Sequence, residues 1–412
     1  MKSRKISLRR FTIKEMFSTL ILFCLFLASL NLINRFYYCI YIAAAFFIIT
    51  PGRKFVVDKN LCLLFGLSLS LLIFDKSYQT IFTNMIKPFT YPLCYMIGLT
   101  LFNIGKDDDA DLLSYEKKTS TLIYIVSGGV MAHFVLNMLL NIRSDTRHVI
   151  DYWTKAEMSA TGQATLACLA IAIAVTFIFA KTGKKKKIIA IATILIILAY
   201  NLVLAGRTIF ALMIIAFAVS VFYTMYENRR IGVNTKSAKL ILAVLAIAVC
   251  LYCLYDANVF GVKSMFESSN FYDRFFGGDY TQDIDDDSRL ANKLYYIEHF
   301  LDSMLGGGHI RASFGHSAHD LYLDTYDEAG IFALVSVGAY ILMSLNRVWR
   351  CIRSTKISFE TRLLVLSVYS VVNVQFWLEP IMRGIPWLLA TYCLIDGAVN
   401  KLLMKEHDLL KR

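Results

Sequence analysis

Proline is nearly absent from this chain, five residues in 412, so little interrupts a run of helix. Charge is scarce as well. Only 18% of residues are charged against 57% hydrophobic, and a mean hydropathy of +0.54 excludes an ordinary soluble domain. There is no disulfide framework: of Cys24, Cys39, Cys62, Cys94, Cys168, Cys250, Cys253, Cys351 and Cys393, all but Cys351 lie inside apolar runs, which argues against a disulfide scaffold and a zinc site alike. Cys250 and Cys253 form a C-x-x-C, but in mid-run they read as small, inert core residues. Nor does Ala28-Ser29-Leu30 offer a small-x-small cleavage site, so the basic start and the apolar stretch after it read as a retained first helix.

What the chain does have is apolar runs, aromatic residues and a one-sided distribution of basic ones. Runs long enough or nearly long enough to cross a bilayer of about 30 Å lie near 16–33, 36–50, 61–75, 88–104, 121–140, 162–180, 188–204, 208–226, 240–255, 320–345, 362–378 and 385–399. The 23 tyrosines and 29 phenylalanines suit a bundle with aromatic residues at both membrane interfaces. A formal charge of +12 suggests nucleic acid at first, yet the lysines and arginines fall on alternate links between runs. That pattern orients spans, and no nucleic-acid partner follows from it.

The basic links at 2–14, 53–59, 106–118, 181–187, 229–239, 347–356 and from 401 onward share the cytoplasmic side, which places both termini there. The opposite side receives short links near Arg35 and Arg207, moderate loops at 76–87, 142–161 and 379–384, and the long segment 256–319. The sequence therefore predicts an all-α polytopic membrane protein of about twelve transmembrane helices. Residues 1–255 form spans one to nine, 256–319 a large extracytoplasmic loop, and 320–412 spans ten to twelve with a cytoplasmic tail. A loop of that length is more often functional than idle.

Within it, an acidic run at 283–287 precedes Leu290, Leu294, Ile297 and Leu301 at helical spacing. This predicts an amphipathic helix of about four turns, capped by Asp287 or Ser288, whose apolar stripe faces the membrane surface. Arg289 falls in its first turn, against the helix dipole; either a bound phosphate or the neighbouring aspartates relieve that conflict. Gly306-Gly307-Gly308 reads as a flexible turn. Beyond it, His316, His319, Asp320, Asp324, Asp327 and Glu328 cover about half of one helix's circumference. Such a face avoids lipid and borders a water-filled site, where imidazole and carboxylate serve proton transfer or, less simply, a metal. Arg207, in a very short outer link, reads as a snorkelling residue or a phosphate contact. Arg383 reads as a weaker phosphate contact or as the partner of Glu379.

These features resemble the O-antigen polymerase and O-antigen ligase family of bacterial membrane glycosyltransferases. The resemblance is carried by residues 204–345: Leu204-Ala205-Gly206-Arg207-Thr208 opening a span, Arg289 in the large outer loop, Leu305-Gly306-Gly307-Gly308, His319-Asp320-Leu321-Tyr322-Leu323 and Glu328-Ala329-Gly330-Ile331. Gly206-Arg207 stands where the family usually has a serine and an arginine. The resemblance implies a GT-C-like bundle in the bacterial cytoplasmic membrane. It implies transfer of an oligosaccharide from undecaprenyl pyrophosphate to an acceptor sugar hydroxyl on the outer face, without metal or other cofactor. In that reading Arg207, Arg289 and Arg383 hold the pyrophosphate, His319 is the base, and Asp320 or Glu328 orients it. Other membrane proteins of polysaccharide assembly are implied partners. The alternatives are a ligase, which joins glycan to lipid A core or another acceptor, and a flippase or transporter. The absence of an internal repeat between 16–180 and 188–399, with polar groups gathered at the outer edge, disfavours the last.

Overall fold

A bilayer offers backbone amides no water, so an apolar segment must satisfy them internally as helix. The computed structural model describes residues 13–51, 55–101, 111–142, 149–230, 253–269, 272 and 288–411, and helix occupies eleven of the twelve predicted runs. The principal helices are α1 (Ile13–Ser29), α2 (Phe36–Ile49), α3 (Lys59–Phe74), α4 (Thr90–Thr100), α5 (Leu112–Leu140), α6 (Ala160–Phe179), α7 (Lys184–Leu204), α8 (Arg207–Arg230), α9 (Ser288–Glu298), α10 (His309–Phe314), α11 (Leu321–Arg353), α12 (Phe359–Leu378) and α13 (Pro386–Lys411), with short helical turns at Phe82–Met85, Val262–Glu267 and Ile381–Gly384. The remaining run, 240–255 with its C-x-x-C, lies almost wholly outside the described residues, as does the acidic run 283–287. Sheet among the described residues is one two-residue ribbon, Val149–Ile150 against Glu157–Met158.

Among the described residues six helices, α5 to α8, α11 and α12, are long and apolar enough to cross a membrane. Together with large exposed apolar side chains such as Leu195, Phe222, Phe332 and Leu342, they mark an all-α, membrane-embedded protein. Asp58, Asp111, Ser159, Asp320 and Ser358 start five of the helices by accepting backbone N–H groups of the first turn. Predicted boundaries hold least well at 88–104. There Pro88 sits in a tight turn and α4 is only 11 residues long, too short alone for the hydrocarbon core. Its close partner is α13, where Gly98 and Gly397 let the backbones touch: a Cβ on Gly98 would lie 2.0 Å from the Leu394 carbonyl oxygen, and one on Gly397 2.2 Å from that of Tyr95. Close approach of this kind replaces the hydrophobic drive that lipid cannot supply.

The two ends of the bundle differ. At one, Lys186 from the lysine-rich start of α7 meets Glu360 of α12 at 2.8 Å, and the Tyr223 hydroxyl of α8 donates to the Ile352 carbonyl of α11 at 2.9 Å. At the other lie the start of α8, the start of α11, the end of α12 and the helices of the long loop.

Polar groups are not confined to that loop end, which corrects the sequence-based expectation. Arg347 and Asp396 form a bidentate ion pair deep between α11 and α13. Tyr340 and Tyr369 donate to Asp396, each at 2.9 Å, and Arg347 donates to Asn60 at 2.7 Å. The network continues through Asn60, Tyr95, Asp58 and Asn400, tying α3, α4, α11, α12 and α13 together. Every lone pair of Asp396 has a donor, so the pair acts as a closed clamp between helices.

Candidate active site

The start of α11 is built by its own carboxylates. Asp320 caps the helix, accepting from Tyr322 N at 2.8 Å and Leu323 N at 3.2 Å. Asp324 accepts from Ala318 N at 2.8 Å and Asp320 N at 3.2 Å. Between these fixed amides His319 is held at φ +54°, a left-handed conformation uncommon for a non-glycine residue. Its ring is partly buried and Nδ1 has no hydrogen-bond partner. Neither Asp320 nor Glu328 is bonded to that nitrogen. Burial first, then the charges of Arg289, His316 and Lys293, lower its pKa below the ordinary 6.5, so the imidazole is neutral and basic at neutral pH.

Arg289 and Lys293 come from α9, a helix of 11 residues, shorter than predicted, followed by a tight turn at Phe300–Ser303. Arg289 donates to the Leu378 carbonyl at 3.0 Å and lies 3.5 Å from Glu379. Lys293 donates to the Trp377 carbonyl at 2.5 Å and lies 3.2 Å from Asp320. Two cations thus cover the exposed carbonyls ending α12, where the helix dipole favours them. Asn292 and Tyr296 bond the Ser317 and His316 carbonyls, which fixes the polar face of α9 on the bundle and leaves Leu290, Leu294 and Ile297 exposed.

The glycine run is a wedge, not a flexible turn. Gly330 breaks α11 at φ 77°, ψ −173°, and the carbonyls freed there accept from the run: Gly307 N to Glu328 O at 2.9 Å and Gly308 N to Asp327 O at 2.8 Å. The Asp327 side chain accepts from Ser303 Oγ at 2.6 Å and Ile310 N at 2.9 Å. It holds the loop. Glu328 is buried, paired with Arg383 and 3.7 Å from Arg311. Its Oε2 has no hydrogen-bond partner. Arg383 therefore pairs with Glu328, and Glu379 with Arg289, in place of the predicted Arg383–Glu379 pair.

Arg207 is the first residue of α8. Gly206 before it is tightly placed: an added Cβ would lie 2.5 Å from Asn201 Oδ1 and 3.7 Å from the Ala160 side chain, so a serine there would force Asn201 to move. Beside Ala160, Thr161 lies near Glu379, whose pKa burial pushes up to about 7 against the opposing pull of Arg289. Arg207, Arg289, His319, Asp320, Glu328 and Arg383 thus share the loop end of the bundle.

Next to them opens a cavity of about 730 Å³, bordered by Glu379, Arg383 and Trp387 on one side and by Arg35, Tyr37, Tyr38, Lys87, His133 and Asp151 on the other. Of the six predicted site residues only Arg383 lines it. Arg311 and the His133–Asp151 pair are additions. A basic residue three positions after the glycine run signalled Arg311, whereas nothing local linked His133 to Asp151. A comparison with models of known protein families finds no match, nor does one with curated proteins.

Proposed function

We propose that this protein is a membrane glycosyltransferase of the O-antigen polymerase and ligase kind, with the twelve-span topology and outward-facing loop described above. It moves an oligosaccharide from undecaprenyl pyrophosphate to an acceptor sugar hydroxyl, and polymerisation of repeat units is the favoured outcome. The observation that carries the reading is a neutral, partly buried His319 set among Arg289 and Lys293 at the end of the bundle where Arg207 and Arg383 also lie.

In the reaction His319 accepts the proton of the attacking hydroxyl while that oxygen bonds the anomeric carbon. The bond from that carbon to the pyrophosphate breaks, and the lipid pyrophosphate leaves with the electron pair. Arg289 and Arg207 stabilise its growing charge with donors that match phosphate oxygens in pairs. Arg289 exchanges its present carbonyl and carboxylate partners for the phosphate. Arg383, held by Glu328, supplies positive charge at the cavity wall. Afterwards the imidazolium returns its proton to the departing pyrophosphate or to water.

The test is reconstitution in vesicles with a defined undecaprenyl-pyrophosphate oligosaccharide and chelator. The expected result is elongated product from the wild type and none from His319→Ala or Arg207→Ala, both of which still accumulate in the membrane. Normal product from both variants overturns the site. Polymerase and ligase separate on deletion of the gene: single attached repeats identify a lost polymerase, long chains stranded on the carrier lipid a lost ligase.

A further inference from the structure

The cavity beside the site has its own chemistry. His133, 3% exposed, donates from Nε2 to Asp151 Oδ2 at 2.7 Å. Asp151 is pinned in turn by Trp153 N at 3.0 Å, Thr154 N at 2.8 Å and the Thr154 hydroxyl at 3.0 Å. Burial pushes the Asp151 pKa up, but the bonds from His133 and Thr154 outweigh it and hold the carboxylate well below the usual range. With Nε2 committed as donor to the carboxylate, Nδ1 is the ring's remaining hydrogen-bonding atom, and it is buried with no partner. Orphaned polar atoms of this kind are costly unless something fills them.

The walls say what that something is. Arg35, Lys87 and Arg383 are interspersed with Asp151, Glu157 and Glu379, so the cavity presents charges of both signs and not a single cationic patch for a polyanion. Arg35 and Lys87 already lie over the rings of Tyr38 and Tyr37, each at 5.4 Å. Tyr37, Tyr38 and Trp387 provide flat apolar faces among these hydrogen-bonding groups. A neutral ligand with apolar faces and many hydroxyls fits that mixture.

We infer that this cavity is a saccharide subsite beside the arginine and His319 cluster, sharing Arg383 with it, in which His133 Nδ1 hydrogen-bonds a sugar hydroxyl while Asp151 fixes the ring. Only the naming of the sugar as the acceptor glycan rests on the proposed function.

His133→Gln is the informative substitution, because the glutamine amide keeps a donor toward Asp151 but has nothing at the Nδ1 position. The probe is the repeat-unit oligosaccharide released from its carrier lipid by mild acid, titrated against the full-length protein in nanodiscs by calorimetry. Expected are saturable binding by the wild type, indifference to inorganic pyrophosphate, and a loss of roughly 3- to 10-fold in His133→Gln at unchanged thermal stability. If that variant does not accumulate, Trp387→Leu carries the same expectation. No saccharide binding, displacement by pyrophosphate, or unaltered binding in the variant overturns the subsite. Product formation from the lipid-linked donor, measured in parallel, keeps the two readings apart. Product with unaltered binding in His133→Gln removes the subsite alone, and saccharide binding without product removes the glycosyltransferase alone.

Discussion

Replacing Gly330 with alanine tests whether the glycine wedge is what holds the loop against the bundle. At φ 77°, ψ −173° the backbone sits in a region open almost only to glycine, and a side chain there costs about 1–3 kcal/mol. The new Cβ would lie 2.7 Å from the Met304 carbonyl oxygen, 2.8 Å from the Leu305 carbonyl carbon and 3.0 Å from Gly306 N. All three are backbone atoms that cannot rotate away, and overpacking of this type adds about 1–3 kcal/mol. The sum, roughly 2–6 kcal/mol, falls on the junction between 304–308 and 328–331, so undocking becomes about 30-fold to 20,000-fold easier at 1.4 kcal/mol per factor of ten. Hydrogen–deuterium exchange in nanodiscs reads this directly. The amides of Gly307, Gly308 and Ile331, all bonded across the junction, exchange faster by that factor, whereas α4 and α13 stay protected. Gly338→Ala is the control: it lies on the same helix, and nothing stands within 4 Å of its added Cβ. It should be neutral or slightly stabilising, since alanine outranks glycine in a helix by about 1 kcal/mol. If the two variants exchange alike, the wedge is not the device that docks the loop.

Two further outcomes follow from the charges. Because the His319 pKa is lowered by burial and then by Arg289, His316 and Lys293, the base form persists below pH 6.5. Product formation should fall only as pH drops through the depressed value, and Lys293→Gln should move that acid limb upward; a limb unmoved by the substitution argues against His319 as the base. In the clamp, Asp396→Asn leaves Arg347 buried with its partner charge gone and should cost about 3–5 kcal/mol, while the apolar pair Arg347→Met with Asp396→Leu costs much less. Thermal unfolding in detergent checks this, and an Asp396→Asn protein as stable as wild type refutes it.

Much of the bundle was legible because its signal is local. A run of apolar residues in lipid has helix as its outlet, and Lys184 to Lys187 mark a helix end without reference to any partner; Arg347, expected in a link at 347–356, lies instead inside α11, buried against Asp396. The same locality explains the end of the resemblance-bearing segment: His319, Asp320 and Glu328 stand close together in sequence and inevitably share one end of a helix. Sequence spacing also found α9, from Leu290, Leu294 and Ile297 repeating at its period.

The partners were not legible. Glu328 meets Arg383 across 55 positions, Arg289 meets Leu378 across 89, and Arg347 meets Asn60 across 287. Which of several arginines takes which carboxylate depends on how helices pack, and that is set by close approaches such as Gly98 on Gly397 that no window of sequence contains. The scarcity of proline and charge noted at the outset determined that this chain would be helices in a membrane. Tertiary packing alone decided that the glycine run is a wedge in a broken helix, that Asp327 serves the loop, and that a cavity joins Arg383 to His133. Helix formation needs only neighbours four residues apart, whereas a site needs groups that folding brings together from far along the chain.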